Sequence, residues 1–96
     1  MIVINVAGFL TEFTGGQREI KLDSAPPTVG QVLAELWNIH VGLRDRVVNE
    51  RGEVRPHVNV FLNGDNIRRK QVLQTPLPDG SEITILPSVS GGITEK

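Results

Sequence analysis

The stretch "ILPSVSGGITEK" closes a 96-residue chain and holds its one arrangement of residues that reads as chemistry. Two glycines, Gly91 and Gly92, follow an apolar run and precede Ile93, Thr94, Glu95 and Lys96. Glycine lacks a Cβ, so a backbone carrying two in succession can enter a slot too narrow for any side chain. If Leu86 is the last core residue, positions 87–92 form an arm reaching about 20 Å from a sheet, at roughly 3.3–3.6 Å per residue. Such an arm can carry one reactive group, a terminal carboxylate, into another enzyme's active site. The plainer reading is that paired glycines near a terminus mark a frayed tail.

The rest of the inventory excludes most self-contained enzymes. There is no cysteine, which removes disulfides, thiolate metal sites and sulfur nucleophiles together. His40 and His57 stand without an H-x-x-x-H pair or a carboxylate cluster of ligand spacing. They read as surface or packing residues, so no metal site is expected. No P-loop, dinucleotide fingerprint, serine elbow or zinc signature is present. Ten Lys/Arg against eleven Asp/Glu give a net charge of -1, which supplies no general field for nucleic acid or an anionic membrane. The run Arg68-Arg69-Lys70, and Arg44, Arg46, Arg51 and Arg55 dispersed among acids, read as solvated charge. The opening "MIVINVAGFL" lacks the basic start of a signal peptide and alternates like a strand. No stretch approaches the roughly 18–20 apolar residues of a membrane helix, and a cytoplasmic location is expected.

The elements that must position the arm follow from periodicity. Ile2, Ile4 and Val6 share one face of a strand over 2–7, and Ile20 and Leu22 share one face of a second over 18–22. Gly15 and Gly16 are read as closing the two into a hairpin. Two prolines exclude helix before Thr28, which forms a capping box with Gln31. Val29, Val32, Leu33, Leu36 and Trp37 then make one apolar stripe on a helix of about ten residues, with Trp37 as a core residue. Positions 43–49 fit a short strand or a helical turn. A strand over 54–62 alternates Val58, Val60 and Leu62 with His57, Asn59 and Phe61, and Phe61 suggests burial on both faces there. The stretch 66–80 reads as loop, and a last strand over 82–86 ends at Pro87. One helix covering one face of one sheet is an α+β domain, within the size of a single modest core. The patterns do not give the strand order.

Two longer stretches, "RVVNERGEVRPHVNVFLNGDNIR" and "TPLPDGSEITILPSVSGG", together with "TVGQVLAELW", resemble the ubiquitin-like sulfur-carrier family. This family includes the small subunit of molybdopterin synthase, the thiamine-pathway sulfur carrier and the thiocarboxylate carrier of a cysteine-biosynthesis route, which the chain most resembles. The resemblance covers nearly the whole chain. It implies a β-grasp fold, a mixed sheet curling around the first helix with the first and last strands parallel neighbours at its centre. The implied organisation is a β-grasp domain over 1–87, a flexible tail over 88–92 and an extension over 93–96.

The resemblance also implies a chemistry performed on the chain rather than by it. An E1-like adenylyltransferase uses ATP to activate the carboxylate of the terminal glycine, and a sulfur donor displaces AMP to leave a thiocarboxylate. The sulfur then passes to an acceptor synthase, PLP-dependent in the cysteine route. Gly92 would carry the thiocarboxylate, with Val89, Ser90 and Gly91 in the partner's channel and no cofactor held by the chain. The outer, apolar face of the sheet, with Phe61, would dock the activating enzyme. Four residues beyond Gly92 depart from the common pattern, because Gly92 as encoded has an amide carbonyl and no carboxylate. Some family members with such tails are paired with a JAMM-type zinc metallopeptidase, which here would cut between Gly92 and Ile93. Alternatives are the small subunit of molybdopterin synthase, a ubiquitin-like modifier joined to lysines through Gly92, and an interaction module whose tail is inert.

Overall fold

The computed structural model describes residues 1–24 and 26–87. The expected tail over 88–92 and extension over 93–96 lie outside the described residues. Five strands form one mixed sheet: β1 (Ile2–Val6), β2 (Glu19–Leu22), β3 (Val58–Leu62), β4 (Asp65–Asn66) and β5 (Glu82–Pro87). Their order is β2-β1-β5-β3-β4. β1 and β5 run parallel at the centre, with Ile4 beside Ile83 and Val6 beside Ile85. β2 and β3 flank them antiparallel. This is the β-grasp arrangement, with the two ends of the described chain as its central pair.

Helix α1 (Val29–Ile39) covers one face of the sheet. Thr28 is extended, and its Oγ1 accepts from the Gln31 backbone N–H at 3.3 Å, so half of the capping box forms. The Gln31 amide faces the Thr28 hydroxyl at 3.4 Å instead of reaching back to its N–H. The stripe packs as its spacing requires: Val29, Val32, Leu33 and Leu36 are buried against Ile2, Ile4, Val58, Val60, Ile83 and Ile85. Removing each such side chain from water stabilises the fold by about 1.5–3 kcal/mol. Trp37 is only half-buried and packs at the margin of this core.

Elsewhere the local reading needed long-range packing to complete it. The strands β1 and β2 do pair as a hairpin would, but their link is no tight turn. It holds a 3-10 helix (Gly8–Phe13) that buries Leu10, and only then Gly15 and Gly16, at φ +67° and +86°. Of the ambiguous 43–49 stretch, positions 43–47 belong to a helix, α2 (Val41–Val47), which buries Leu43 and Val47, and Val48 is already extended. Seven residues are too few for a period to declare itself. The strand expected over 54–62 begins at Val58, and Val54 makes only an isolated bridge with Val48. Within 66–80, read as loop, Ile67–Arg69 and Val72–Gln74 are 3-10 turns, and β4 adds a two-residue edge to β3. Ile67 seals that end of the core.

Candidate functional site

The place of interest is the end of β5, from which the tail departs. Parallel pairing makes β1 and β5 finish at the same edge, and antiparallel β3 starts there, with Val58 opposite Pro87. The Ala7 N–H donates to the Ile85 carbonyl at 3.1 Å, carrying the β1 hydrogen bonds one residue past the strand. Gly8 then turns away at φ +64°, and a Cβ there would stand 2.8 Å from Pro87 Cγ. Only glycine tolerates both the dihedral and the contact. Pro87 is thus held between Gly8 on one side and Val58 on the other.

Alternation divides the side chains of the sheet. Inward lie Ile2, Ile4, Val6, Ile83, Ile85, Val58, Val60 and Leu62, all buried. Outward, on the opposite parity, lie Val3 and Asn5, Glu19 and Lys21, Asn59 and Phe61, and Glu82, Thr84 and Leu86. Phe61 stands opposite Thr84, which stands beside Asn5. Asn5 Nδ2 donates to Glu82 Oε2 at 2.7 Å. The outer face is therefore mixed, not the apolar surface expected of it. Val3, Phe61 and Leu86 are its large apolar members, each half-buried. On the outer face no second layer among the described residues covers Phe61, so β3 is buried on its inner face alone there, contrary to the burial on both faces that Phe61 suggested.

Near this edge lies a concavity of about 270 Å³ lined by Phe9, Asp45, Arg46, Arg55 and His57. Phe9 is the neighbour of Gly8 and remains 49% exposed, and His57 is the neighbour of Val58. Arg46 rests over the Phe13 ring at 4.7 Å. Arg55 Nε donates to the Asp45 carbonyl at 2.8 Å. These residues had looked dispersed along the chain; α2 and the approach to β3 bring them to one wall. His40 sits where α1 meets α2, with Nε2 buried and without a hydrogen-bond partner among the described residues. Neither histidine joins a metal-binding group, and the described residues contain none. No helix among them is long and apolar enough to cross a membrane.

Val89, Ser90, Gly91, Gly92 and Ile93, the residues assigned to the tail and its cleavage point, lie outside the described residues. The structure describes their point of departure. Sequence reasoning overlooked Gly8, whose one available signal was a glycine directly after an alternating strand.

Comparison with known proteins agrees with this architecture. The sulfur carrier protein CysO of Mycobacterium tuberculosis is 29% identical over 93 residues, covering 95% of this chain and 98% of that protein. Small archaeal modifier protein 3 of Haloferax volcanii is 43% identical over 65 residues, 68% of this chain and 70% of that one. Among solved structures, the BexX/CysO complex of Amycolatopsis orientalis contains a chain that superposes with a TM-score of 0.84 at 27% identity, covering 96% of this chain and all of that one. The model of the ThiS family matches residues 4–92, nearly the whole sequence and both glycines, and the chain belongs to that family of ubiquitin-like sulfur carriers.

Proposed function

We propose that the chain is a protein cosubstrate that carries sulfur on Gly92 and is not itself an enzyme. The observation that carries this reading is where the family likeness stops: the match ends at residue 92, leaving 93–96 as an addition beyond the shared pattern. A JAMM-type metallopeptidase hydrolyses the Gly92–Ile93 bond and frees the Gly92 carboxylate. A free carboxylate is a poor electrophile. An E1-like adenylyltransferase therefore couples it to ATP, releasing pyrophosphate, and the acyl adenylate yields AMP when a sulfide equivalent attacks. The thiocarboxylate then gives its sulfur to an acceptor synthase in amino-acid or cofactor biosynthesis. Cysteine formation by a PLP-dependent enzyme is favoured by the likeness to CysO. Gly91 keeps the arm slim, while Val89 and Ser90 lie in the partner's channel. Val3, Phe61 and Leu86 on the outer sheet face dock the activating enzyme. With no cysteine in the chain, no side chain can hold transferable sulfur as a persulfide.

The test compares the encoded chain with one ending at Gly92, a truncation that removes none of the described fold. With ATP, the matching activating enzyme and a sulfide source, the shorter chain gains the mass of one oxygen replaced by sulfur, and the encoded chain does not. Sulfur uptake by the untrimmed chain, with residues 93–96 still attached, sinks the mechanism. A second reading, conjugation of Gly92 to lysines, is favoured by the likeness to a modifier protein. A ladder of heavier species carrying this chain in its native lysate would establish that role.

A further inference from the structure

At the concavity near the end of β5, three guanidinium groups are held in place without being neutralised, two of them lining it and the third, Arg68, bonded to the Arg55 carbonyl, and we propose that this basic ground receives an acidic segment of the activating enzyme. The inference rests on the carrier reading, since it supposes such a protein. Arg46 is held over the Phe13 ring, and Arg55 by the Asp45 carbonyl. Arg68 donates from Nη1 to Asn59 Oδ1 at 2.8 Å and from Nη2 to the Arg55 carbonyl at 2.6 Å. Every one of these acceptors is uncharged. None of the three arginines makes an ion pair among the described residues, where the pairs are Lys21–Glu19, Arg44–Asp45 and Lys70–Asp65. The Asp45 carboxylate also borders the concavity, but it is engaged by Arg44 at 3.4 Å.

A long side chain ordered by neutral contacts loses less entropy when an anion arrives and keeps its full charge for it. A guanidinium already facing a carboxylate has little left to offer. The whole chain carries only -1, yet its charge is segregated: positions 44–70 hold seven Lys/Arg and four Asp/Glu, a local +3, and the remainder holds three against seven. That remainder repels an extended polyanion such as nucleic acid, whereas a short acidic peptide can meet the basic wall alone. Location selects which protein would bring the peptide. Phe9 and His57 each adjoin a residue that touches or pairs with Pro87, so a protein drawing in the tail must cover this ground.

The experiment titrates the full-length, isotope-labelled chain with hexaglutamate, using hexalysine as the control peptide, and follows amide and arginine Nε–H signals. Expected are saturable shifts at Arg46, Arg55, His57 and Arg68 in low salt that vanish in high salt. The variant R46E/R55E weakens peptide binding at least about tenfold. Arg55→Glu also removes the bond to Asp45, so Arg46→Glu alone, on an exposed side chain, serves as the milder variant and gives a smaller loss in the same direction. In activation assays of chains ending at Gly92, R46E/R55E raises KM about tenfold and leaves kcat within about twofold. Shifts spread evenly over the surface, or centred on Arg18 and Lys21, overturn the proposal, as does an unchanged KM. A chain that receives no sulfur at all refutes the carrier reading instead, and the titration still decides whether the wall selects acidic peptide.

Discussion

The two faces of the sheet share one backbone and differ in everything that side chains supply. The inner face is an unbroken apolar surface sealed by α1, and its residues are fixed by the requirement to fill space. The outer face alternates Asn5, Thr84 and Asn59 with Val3, Phe61 and Leu86, and no second layer among the described residues covers it. Burial determines the first pattern, so a change there costs stability wherever it is made. The second is free of that demand, so its composition reflects what meets it from outside. Stability is thereby assigned to one parity of the strands, and on the proposed function recognition falls to the other.

That division can be broken at three positions. Ile4 is fully buried between β2 and β5, and Ile4→Ala should cost about 2–5 kcal/mol, read from the midpoint of urea unfolding. A loss under about 1 kcal/mol would mean that the inner face is less tightly filled than its burial indicates. Gly8→Ala combines an unfavourable dihedral with a contact on Pro87, and should cost about 1–3 kcal/mol. It should also slow sulfur loading, because it displaces the root of the tail; normal loading by the destabilised protein would separate Gly8 from function. Phe61→Ala should cost about 1 kcal/mol or less, since its ring is only half-buried. It should nevertheless raise the KM for activation severalfold. Large destabilisation with unchanged activation would reverse the assignment of the two faces.

The parts legible in the sequence are those where one face of an element meets the core. The stripe from Val29 to Leu36 and the alternation in β1, β2, β3 and β5 follow directly from that demand. Helix α2 hid because two buried residues, Leu43 and Val47, fit a strand or a helix about equally well. The 3-10 turns after Asn66 have no period at all; they are fixed by tertiary packing of Ile67 and by bonds such as Asn66 Oδ1 accepting from the Arg68 N–H at 3.0 Å. The strand order was available only through resemblance. The two glycines were conspicuous because they stand side by side in the chain. The basic wall was not, since Arg46, Arg55 and Arg68 come together only when α2, the approach to β3 and the turn after β4 are folded side by side.

The central parallel pair also governs when the molecule can exist. Ile4 and Ile83 are neighbours across strands that synthesis separates by most of the chain. A nascent chain that has not yet released β5 lacks the strand joining β1 to β3, and so has two sheet fragments with open edges in place of a core. Completing the sheet in this way is slow, because a long loop must close before the central pair forms. An interrupted or clipped translation product therefore offers neither a fold nor an arm. Any peptidase or activating enzyme that must first grip the folded surface would thus be spared from spending a cycle on an unfinished copy.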